Sequence, residues 1–533
     1  MSFSMVKRVT MGGGAIAAAA TIWFGATLPT LPQLAVDTTY SLPTGTTWTC
    51  HNSSDLNTAL TNCALNDVLV LDAGVTFNAI TLPNKTSGSG WVYITSSAYS
   101  SLPAPGTRVA PSDATNMPKI LGTSNNPAVV GATSAHHYRF VGCEIQSTGS
   151  NVFEIVQFGL NATTLAQLND HMIFDRCYVH GDSTNGANHG ITANCSYFAM
   201  VSCYGTDCFQ AGNADTQVVF CYSTPGPLKI DNNYLHAGGQ AFMSGGADTA
   251  ITNCSPSDIT FTNNYCYKNP SDQGTIPGKN SFEIKHAYRV LVEGNHFENC
   301  FGSQTGNFVI TPRNQNGGNT WAGVQDITVR YNRMNNVLTG GFNISAQDDA
   351  HSSQITKRVY IHDNLIHMTN TTDGTLNRGW QLVGNDATDI IISHNTLISD
   401  SAIGAYIYFS MSASHNWVNF SFDNNIVDGT AYDIHDDTTG SSNITTILNA
   451  NASNYAFLGN VTVNRQATGY PSGNFSAAND AAVGFTNYAG GNYALTSGST
   501  YHAVGVSGAG LAYNSSGTAD STDAGADFTK VAA

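Results

Sequence analysis

The segments VLVEGNHF (290–297), VYIHDNLI (359–366) and IIISHNTL (390–397) decide the fold of this chain. Each has a short apolar run, then an asparagine, then a second short run that contains apolar residues. The pattern occurs seven times, with spacings of 31, 31, 37, 32, 31 and 30 residues, at Asn233, Asn264, Asn295, Asn332, Asn364, Asn395 and Asn425. A fixed period of this length is the signature of a repeat architecture.

Each repeat predicts short strands and turns, because it leaves no room for a long helix. Such strands bury their inner face only against neighbours above and below, and a solenoid supplies those neighbours. We therefore expect an all-β chain, a right-handed parallel β-helix with an asparagine ladder and a cap at each end. Stacked asparagines can bond one another and the adjacent backbone, and asparagine tolerates left-handed backbone geometry.

Cysteine takes the corner position in earlier repeats, at Cys143, Cys177 and Cys203. Small, buried cysteine suits a stacked inward site. Cys221 precedes Asn233 by only 12 residues, so we expect it on another face. Of the 11 cysteines, Cys50 and Cys63 form the most plausible local disulfide. No CxxC pair is present, which argues against a zinc site.

The chain divides into four predicted segments. Lys7 and Arg8 precede an apolar stretch, so residues 1–35 are predicted to be a secretory signal peptide, with an N-terminal anchor as the alternative. Residues 36–130 are predicted to form the N-terminal cap and first coils, residues 131–460 the β-helix, and residues 461–533 a C-terminal cap. This order predicts a secreted or cell-surface protein.

Composition narrows the classes of partner. The 533 residues carry a formal charge of −16 and only 11% charged side chains. An acidic surface argues against nucleic acid as the main partner. No glycine motif stands between a strand and a helix, so no nucleotide cofactor is expected. An acidic polysaccharide would need a local basic site on this chain.

The repeats resemble the right-handed parallel β-helix superfamily, which has the pectate-lyase-like fold. That superfamily includes lyases, glycoside hydrolases, epimerases, phage tailspikes and adhesins, so the resemblance implies fold more than function. The stretches FEIKHAYRVLVEGNHF (282–297) and FVITPRNQ (308–315) also resemble alginate-lyase-type β-helix enzymes. In those enzymes a Glu and a Lys lie on one rung and an Arg on the next, an order that Glu283, Lys285 and Arg313 reproduce.

The candidate site follows from aligning one strand of successive repeats on its first aromatic residue, at Phe242, Phe282, Phe308, Phe342 and Trp380. Because side chains alternate along a strand, the second and fourth positions should point outward. That places Glu283, Lys285, Asn343 and Gln381 on one outer face. Asp248, Arg313, Asp348, Asp349 and Asp386 follow just past these strands.

This strip suits a lyase that acts on a uronate polysaccharide. Arg313 can stabilise the enolate-like charge, and Lys285 with a lowered pKa can serve as the base. Glu283 can orient Lys285, or hold Ca²⁺ together with Asp348. The remaining predicted contacts to the polysaccharide are those of Asn343, Gln381, Asp348 and Asp386.

Two other functions remain open. Asp248, Asp348 and Asp386 could supply an acid and a base for glycosidic hydrolysis. Alternatively, the chain is a non-catalytic surface, fibre, adhesin or tailspike-like protein. His171, His180 and His189 could meet on one rung edge and bind a metal, although solvated loop histidines are the better interpretation.

Overall fold

The computed structural model describes residues 26–124, 126–302, 306–369, 378–400, 404–410, 416–428, 431–502, 504–505 and 523–533. Within these ranges the chain coils through three long parallel sheets, A, B and C, and from Val68 to Asp436 its strands follow that order on each turn. The described chain is therefore the predicted right-handed parallel β-helix. Adjacent strands of one sheet come from successive coils, which lie about 4.8 Å apart.

The strands of the three sheets share this parallel pairing. The described strands of sheet A are Thr47–Cys50, Val68–Leu71, Val92–Ser96, His136–Val141, Asn169–Asp175, Cys195–Val201, Leu228–Asp231, Ser257–Thr262, Ala287–Glu293, Val324–Arg330, Lys357–His362, Thr388–Ser393, Trp417–Asp423, Ala452–Ser453 and Ala456–Leu458. Those of sheet B are Thr76–Asn78, Lys119–Thr123, Glu144–Thr148, Tyr178–His180, Tyr204–Cys208, Tyr234–Ala237, Tyr265–Tyr267, His296–Cys300, Arg333–Val337, Leu365–Met368, Thr396–Ser399, Ile426–Val427, Val461–Val463 and Phe475–Ala477. Those of sheet C are Ile80–Leu82, Val129–Gly131, Glu154–Phe158, His189–Ala193, Gln217–Cys221, Gln240–Ser244, Phe282–Ile284, Phe308–Ile310, Phe342–Ser345, Arg378–Val383, Ala405–Ser410 and Ile434–Asp436.

The remaining elements are short. Phe485–Asn487 pairs antiparallel with Asn492–Leu495. The described α-helices are Ser53–Asn62, Ile444–Asn451 and Asp480–Val483. Short 3₁₀ turns occur at Tyr99–Ser101, Pro111–Asn116, Leu165–Gln167, Pro270–Asp272 and Tyr488–Gly490. Among the residues that the structure describes, none of the helices has the length and apolar character needed to cross a membrane.

The core is one continuous stack of apolar side chains inside the three sheets. The aromatic alignment made from the sequence is confirmed, because neighbouring members pair across sheet C at Phe242, Phe282, Phe308, Phe342 and Trp380. All five side chains are fully buried. Their rings follow one another at centroid separations between 4.8 and 6.3 Å.

The asparagine ladder joins sheets A and B. The side-chain Nδ2–H of Asn295 donates to Asn332 Oδ1 at 2.9 Å and to the carbonyl oxygen of Phe261 at 2.9 Å, and its backbone N–H donates to Asn332 Oδ1 at 2.9 Å. The ladder asparagine itself does not adopt the left-handed conformation that asparagine tolerates. That conformation belongs to the residue before it, as at Gly294 (φ 66°) and Tyr331 (φ 59°).

Cysteines continue the ladder toward the N-terminus, as predicted. The Cys177 backbone N–H lies 3.2 Å from Cys203 Sγ, and the Cys203 backbone N–H donates to Asn233 Oδ1 at 2.8 Å. Cys221 lies in sheet C, on another face, which confirms that expectation. The expected Cys50–Cys63 disulfide is wrong, since both residues are buried free thiols. Each thiol lies 3.8 Å from a nearby backbone carbonyl oxygen instead.

The N-terminal end of the solenoid is covered by the helix Ser53–Asn62, which buries Leu56, Ala59 and Leu60 against the core. The preceding residues 26–41, called the strap, run along the outside of sheet A. The backbone N–H groups of Thr30 and Gln33 donate to Asp326 Oδ1 at 2.9 Å and to Asp258 Oδ1 at 2.8 Å. Residues 1–25 of the predicted signal segment lie outside the described residues.

Candidate functional site

A cavity of about 560 Å³ opens on the outer face of sheet C, at the ends of the strands Phe282–Ile284 and Phe308–Ile310. The side chains that matter for its chemistry come from several coils: Asp215, Lys279, Glu283, Lys285, Arg313 and Asp348. The structure therefore brings together the three predicted catalytic residues.

Strand alternation positions the first pair. Phe282 and Ile284 are fully buried in the core, so Glu283 and Lys285 point to the opposite, outer side. The predicted direction is confirmed, but neither side chain is freely exposed. Only 4% of the Glu283 side chain and 14% of the Lys285 side chain are exposed, because residues from neighbouring coils cover them.

Arg313 lies one coil beyond Lys285. The backbone N–H of Arg313 donates to the carbonyl oxygen of Lys285 at 2.8 Å, which confirms the adjacency expected from their spacing. The Arg313 guanidinium bonds Asp348 Oδ1 at 3.1 Å and also contacts the Asp349 carboxylate. With 30% of its side chain exposed, Arg313 is open to the cavity while Asp348 fixes its position.

Glu283 is the centre of a network that includes two lysines. Its Oε1 lies 3.5 Å from Lys285 Nζ, and its Oε2 lies 3.2 Å from Lys279 Nζ. Gln240 Nε2–H donates to the same Oε2 atom. Lys279 Nζ also lies 3.3 Å from Asp215 Oδ1, so the ammonium group of Lys279 bridges two carboxylates.

The two lysines have opposite pKa shifts. Burial lowers the pKa of Lys285, the Lys279 ammonium lowers it further, and Glu283 opposes both effects. Burial also disfavours the charge of Lys279, but Glu283 and Asp215 raise the pKa of that group above its ordinary value. Neighbouring groups whose pKa values are pushed apart are suited to different roles in proton transfer. Lys285 is the better base, and Lys279 remains a cation.

Asp348 lines the cavity but does not present its carboxylate to a ligand. Its side chain is fully buried, and the backbone N–H groups of Asn314 and Ala350 donate to it at 2.6 and 2.9 Å. Burial disfavours its charge, yet these donors and Arg313 hold the pKa of Asp348 below its ordinary value. The predicted saccharide contact is therefore replaced by a role in positioning Arg313.

Three other predicted binding residues lie outside this cavity. Asn343 and Gln381 share a register column with Glu283, but other side chains line the cavity wall. Gln381 is buried and accepts a hydrogen bond from Arg378 Nη1 at 3.2 Å. Asp386 lies exposed in a turn with a positive φ of 69°. For Asn343 and Gln381 the alternation predicted the register column correctly, but not which residues line the cavity.

The hydrolase interpretation loses its geometric basis. Of its three carboxylates, only Asp348 lines the cavity. Asp248 Oδ2 instead accepts the backbone N–H groups of Asn316 at 2.9 Å and Gly318 at 3.3 Å, which fixes the neighbouring loop.

The predicted calcium pair does not fit the structure either. Glu283 is bonded by Lys279 and Gln240, whereas Asp348 is bonded by Arg313 and backbone N–H groups. Calcium binds six to eight oxygen ligands at 2.3–2.6 Å. Here nitrogen donors fill the positions around both carboxylates, so no step of the chemistry is assigned to calcium.

The three histidines predicted to meet lie on three different sheets: His171 on A, His180 on B and His189 on C. They are also not solvated, since His180 and His189 are buried. His171 instead stacks on His137, with ring centroids 4.2 Å apart and planes within 9°. These two histidines and Asp170 place one potential ligand atom each within 4.8 Å of one another.

Sequence reasoning missed Lys279, Asp215 and Gln240. Lys279 precedes Glu283 by four residues, but it lies in an irregular loop where strand alternation makes no prediction. Asp215 and Gln240 come from two earlier coils. A search for charges just before each aligned aromatic strand would have found Lys279, whereas Asp215 precedes Gln217–Cys221, a strand outside that alignment.

Comparison with known proteins gives no direct assignment. No family model matches the chain, and no curated protein matches it. The solved structures that match include an alginate lyase from Paenibacillus sp. str. FPU-7, at 13% identity and a TM-score of 0.33, covering 77% of this chain and 98% of that one. A PL6 family alginate lyase matches at 13% identity and a TM-score of 0.46, covering 81% of this chain and 53% of its own length. A family 28 exopolygalacturonase from Yersinia enterocolitica matches at 10% identity and a TM-score of 0.35, covering 68% and 77%.

At these identities the likenesses concern fold alone. The chain has the parallel β-helix architecture because of its own three sheets and its ladder. Activity must therefore be argued from the cavity on sheet C.

Proposed function

We propose that this protein is a polysaccharide lyase that cleaves a uronate-containing polysaccharide by β-elimination. The observation that carries the proposal is the pairing of Lys285 and Arg313, which come from adjacent coils and line one cavity. Lys285 has a lowered pKa and Arg313 stays charged, so a base and a cation are available together. The cavity as a whole is not basic, because Glu283 pairs with Lys285, and Asp348 and Asp349 pair with Arg313.

The proposed reaction assigns each group one role. Neutral Lys285 removes the C5 proton of the uronate, and Arg313 stabilises the negative charge that develops on the carboxylate. The electron pair of the C5–H bond forms the C4–C5 double bond as the C4–O4 bond breaks. The proton removed from C5 ends on the departing O4 hydroxyl, so the reaction consumes no water and no oxidant.

The test is a panel of uronans, including alginate and pectate, with the unsaturated product followed by its ultraviolet absorbance. Lys285→Ala and Arg313→Ala should each lower the rate on the order of a hundredfold or more. Because Lys285 is not freely exposed, melting curves of both variants must accompany the rates.

Lys119→Ala is the matched control. Lys119 also pairs with a glutamate on a neighbouring strand, at 2.9 Å from Glu144 Oε1, but it lies on sheet B. Its variant should keep full activity. Full activity of the Lys285 variant would show that the catalytic site lies elsewhere. If the wild-type protein forms no unsaturated product on any uronan, the surface or fibre function is favoured.

We also propose that the protein is exported, because residues 1–35 have the basic-then-apolar order of a secretory signal. Mature material from a bacterial host that secretes the chain should lack an N-terminal segment of this region. Cleavage before the strap would leave the contacts of Thr30 and Gln33 intact. Finding Met1 on exported material would favour an N-terminal anchor.

A further inference from the structure

We infer that Lys279 is a built-in cation that takes the place of a dissociable metal ion in the sheet C cavity, so that the site works without divalent cations. The inference deepens the proposed lyase function and rests on it for its catalytic part. Its structural part is that Lys279, and not a metal ion, lies between the carboxylates of Asp215 and Glu283. That part is tested separately.

The first observation is the cage around Lys279. Its Nζ lies 3.3 Å from Asp215 Oδ1 and 3.2 Å from Glu283 Oε2, and only 13% of the side chain is exposed. Three successive coils contribute to this cage, through the strands Gln217–Cys221, Gln240–Ser244 and Phe282–Ile284. Asp215 lies just before the first of these strands, and Glu283 lies on the third. Two acidic side chains from separate coils therefore converge on one ammonium group.

The second observation is the orientation of the two amides. Gln217 Nε2–H donates to Asp215 Oδ1 at 3.0 Å, and Gln240 Nε2–H donates to Glu283 Oε2. Gln217 Nε2–H also donates to Gln240 Oε1 at 2.7 Å, so the two amides form a chain. A metal site would need amide oxygens turned toward the ion. Here the amides present N–H groups to the carboxylates, an arrangement that complements the Lys279 ammonium; an ion in its place would require both amides to turn their oxygens toward it.

The third observation links Lys279 to the proposed base. Lys285 Nζ lies 3.5 Å from Glu283 Oε1, on the opposite carboxylate oxygen from Lys279. If Lys279 were absent, Lys285 would be the nearest cation for the Glu283 charge and would bind its proton more tightly. Lys279 is thus a positioning residue: it neutralises the carboxylates so that Lys285 can be neutral when substrate binds.

Calcium binding is the first test, with Ca²⁺ alone as the probe. Purified full-length protein is freed of metal with a chelator and titrated calorimetrically. Wild type should bind no Ca²⁺ at this site and should keep its activity in chelator. Lys279→Met removes the cation that Asp215 and Glu283 share, so it should gain Ca²⁺ binding with a dissociation constant on the order of 10⁻³ M or tighter. A Ca²⁺-dependent rise in its melting temperature should accompany the binding.

Lys119→Met is the control for this test, since it removes the lysine from a single glutamate, Glu144, on another sheet. It should gain no Ca²⁺ binding. Wild-type activity that is lost in chelator and restored by Ca²⁺ would overturn the inference. So would a Lys279→Met variant that folds, by its melting curve, and binds no Ca²⁺. Both binding measurements stand even if no uronan is cleaved, so failure of the lyase proposal is distinguishable.

The pH profile of kcat/KM is the second test, because a merely structural lysine would not move it. Lys279→Met, measured without Ca²⁺, should shift the acidic limb to higher pH, because Lys285 then keeps its proton up to a higher pH. Lys279→Arg keeps the positive charge and should keep the limb near its wild-type position. An acidic limb that is unchanged in Lys279→Met would overturn the positioning role.

Discussion

A single ladder asparagine makes hydrogen bonds to two neighbouring coils. Asn295 donates from its side chain to Asn332 and to Phe261, and Asn264 in turn donates to Asn295 Oδ1 at 3.0 Å. Asn295→Leu should lower the free energy of unfolding by about 1–3 kcal/mol, because buried partners lose their hydrogen bonds. Chemical denaturation measures the change. Asn57→Leu, at an exposed helix position, is the control and should change stability by about 0.5 kcal/mol or less.

Asp423 predicts a pH dependence of stability. Burial raises its pKa from 3.8 to about 7, although Ser421 and Ser393 donate to the carboxylate and favour its charge. Between these values the folded chain holds a proton that the unfolded chain has lost. This contribution to stability is therefore complete below pH 3.8 and is lost as the pH rises through about 7.

Asp423→Asn removes that titration. Relative to wild type, the variant should gain stability on going from acidic to neutral pH, because its amide never ionises. Denaturation midpoints of both chains across this interval provide the measurement. A difference between the two chains that stays constant with pH would show that Asp423 does not titrate as described.

Among the elements, the strap makes the longest-range contacts. Arg139 donates to the carbonyl oxygens of Thr39 and Thr38 at 2.8 and 2.9 Å, and Gln33 is bonded to a residue 225 positions away. A chain that begins at residue 42 should melt at a lower temperature, since Asp258 and Asp326 lose backbone donors. A chain that begins at Ala26 keeps the strap and serves as the control. Equal melting of the two chains would mean that the strap adds no stability.

Elements that depend on residues within one repeat could be predicted from the sequence. Alternation predicted the outward direction of Glu283 and Lys285, and the period predicted that Arg313 follows one coil later. The strap and the contacts that Lys279 makes could not be predicted, because loop paths, not periodicity, bring these residues to their partners. The low exposure of the Lys285 side chain could not be predicted for the same reason, since neighbouring loops cover it.

At the scale of the whole molecule, the core is continuous but each coil contacts mainly its neighbours. Such a solenoid is stabilised by nearest-neighbour interfaces, and its cooperativity can break down along its length. The strap connects distant coils: Ala26 and Leu28 pack on Tyr360 and Ile391, whereas Tyr40 stacks on Tyr99. It should therefore couple the opening of coils that do not touch.

Hydrogen exchange with peptide resolution tests this coupling. With the strap present, sheet A peptides from coils near Tyr93 and near Tyr360 should open together. In the chain that begins at residue 42 their exchange rates should separate. If the exchange rates of the two sets of peptides differ by the same amount in both chains, the coils open independently of the strap.

The positions of the cysteines have a practical consequence for measuring when the coils open. All 11 thiols are buried, and burial raises the pKa of those such as Cys195 and Cys221. The last one along the chain is Cys300, so every thiol belongs to the first part of the solenoid. A thiol-trapping reagent can therefore modify the native protein only when these coils part. Its reaction kinetics would time the opening of the coils up to Cys300 without any engineered label.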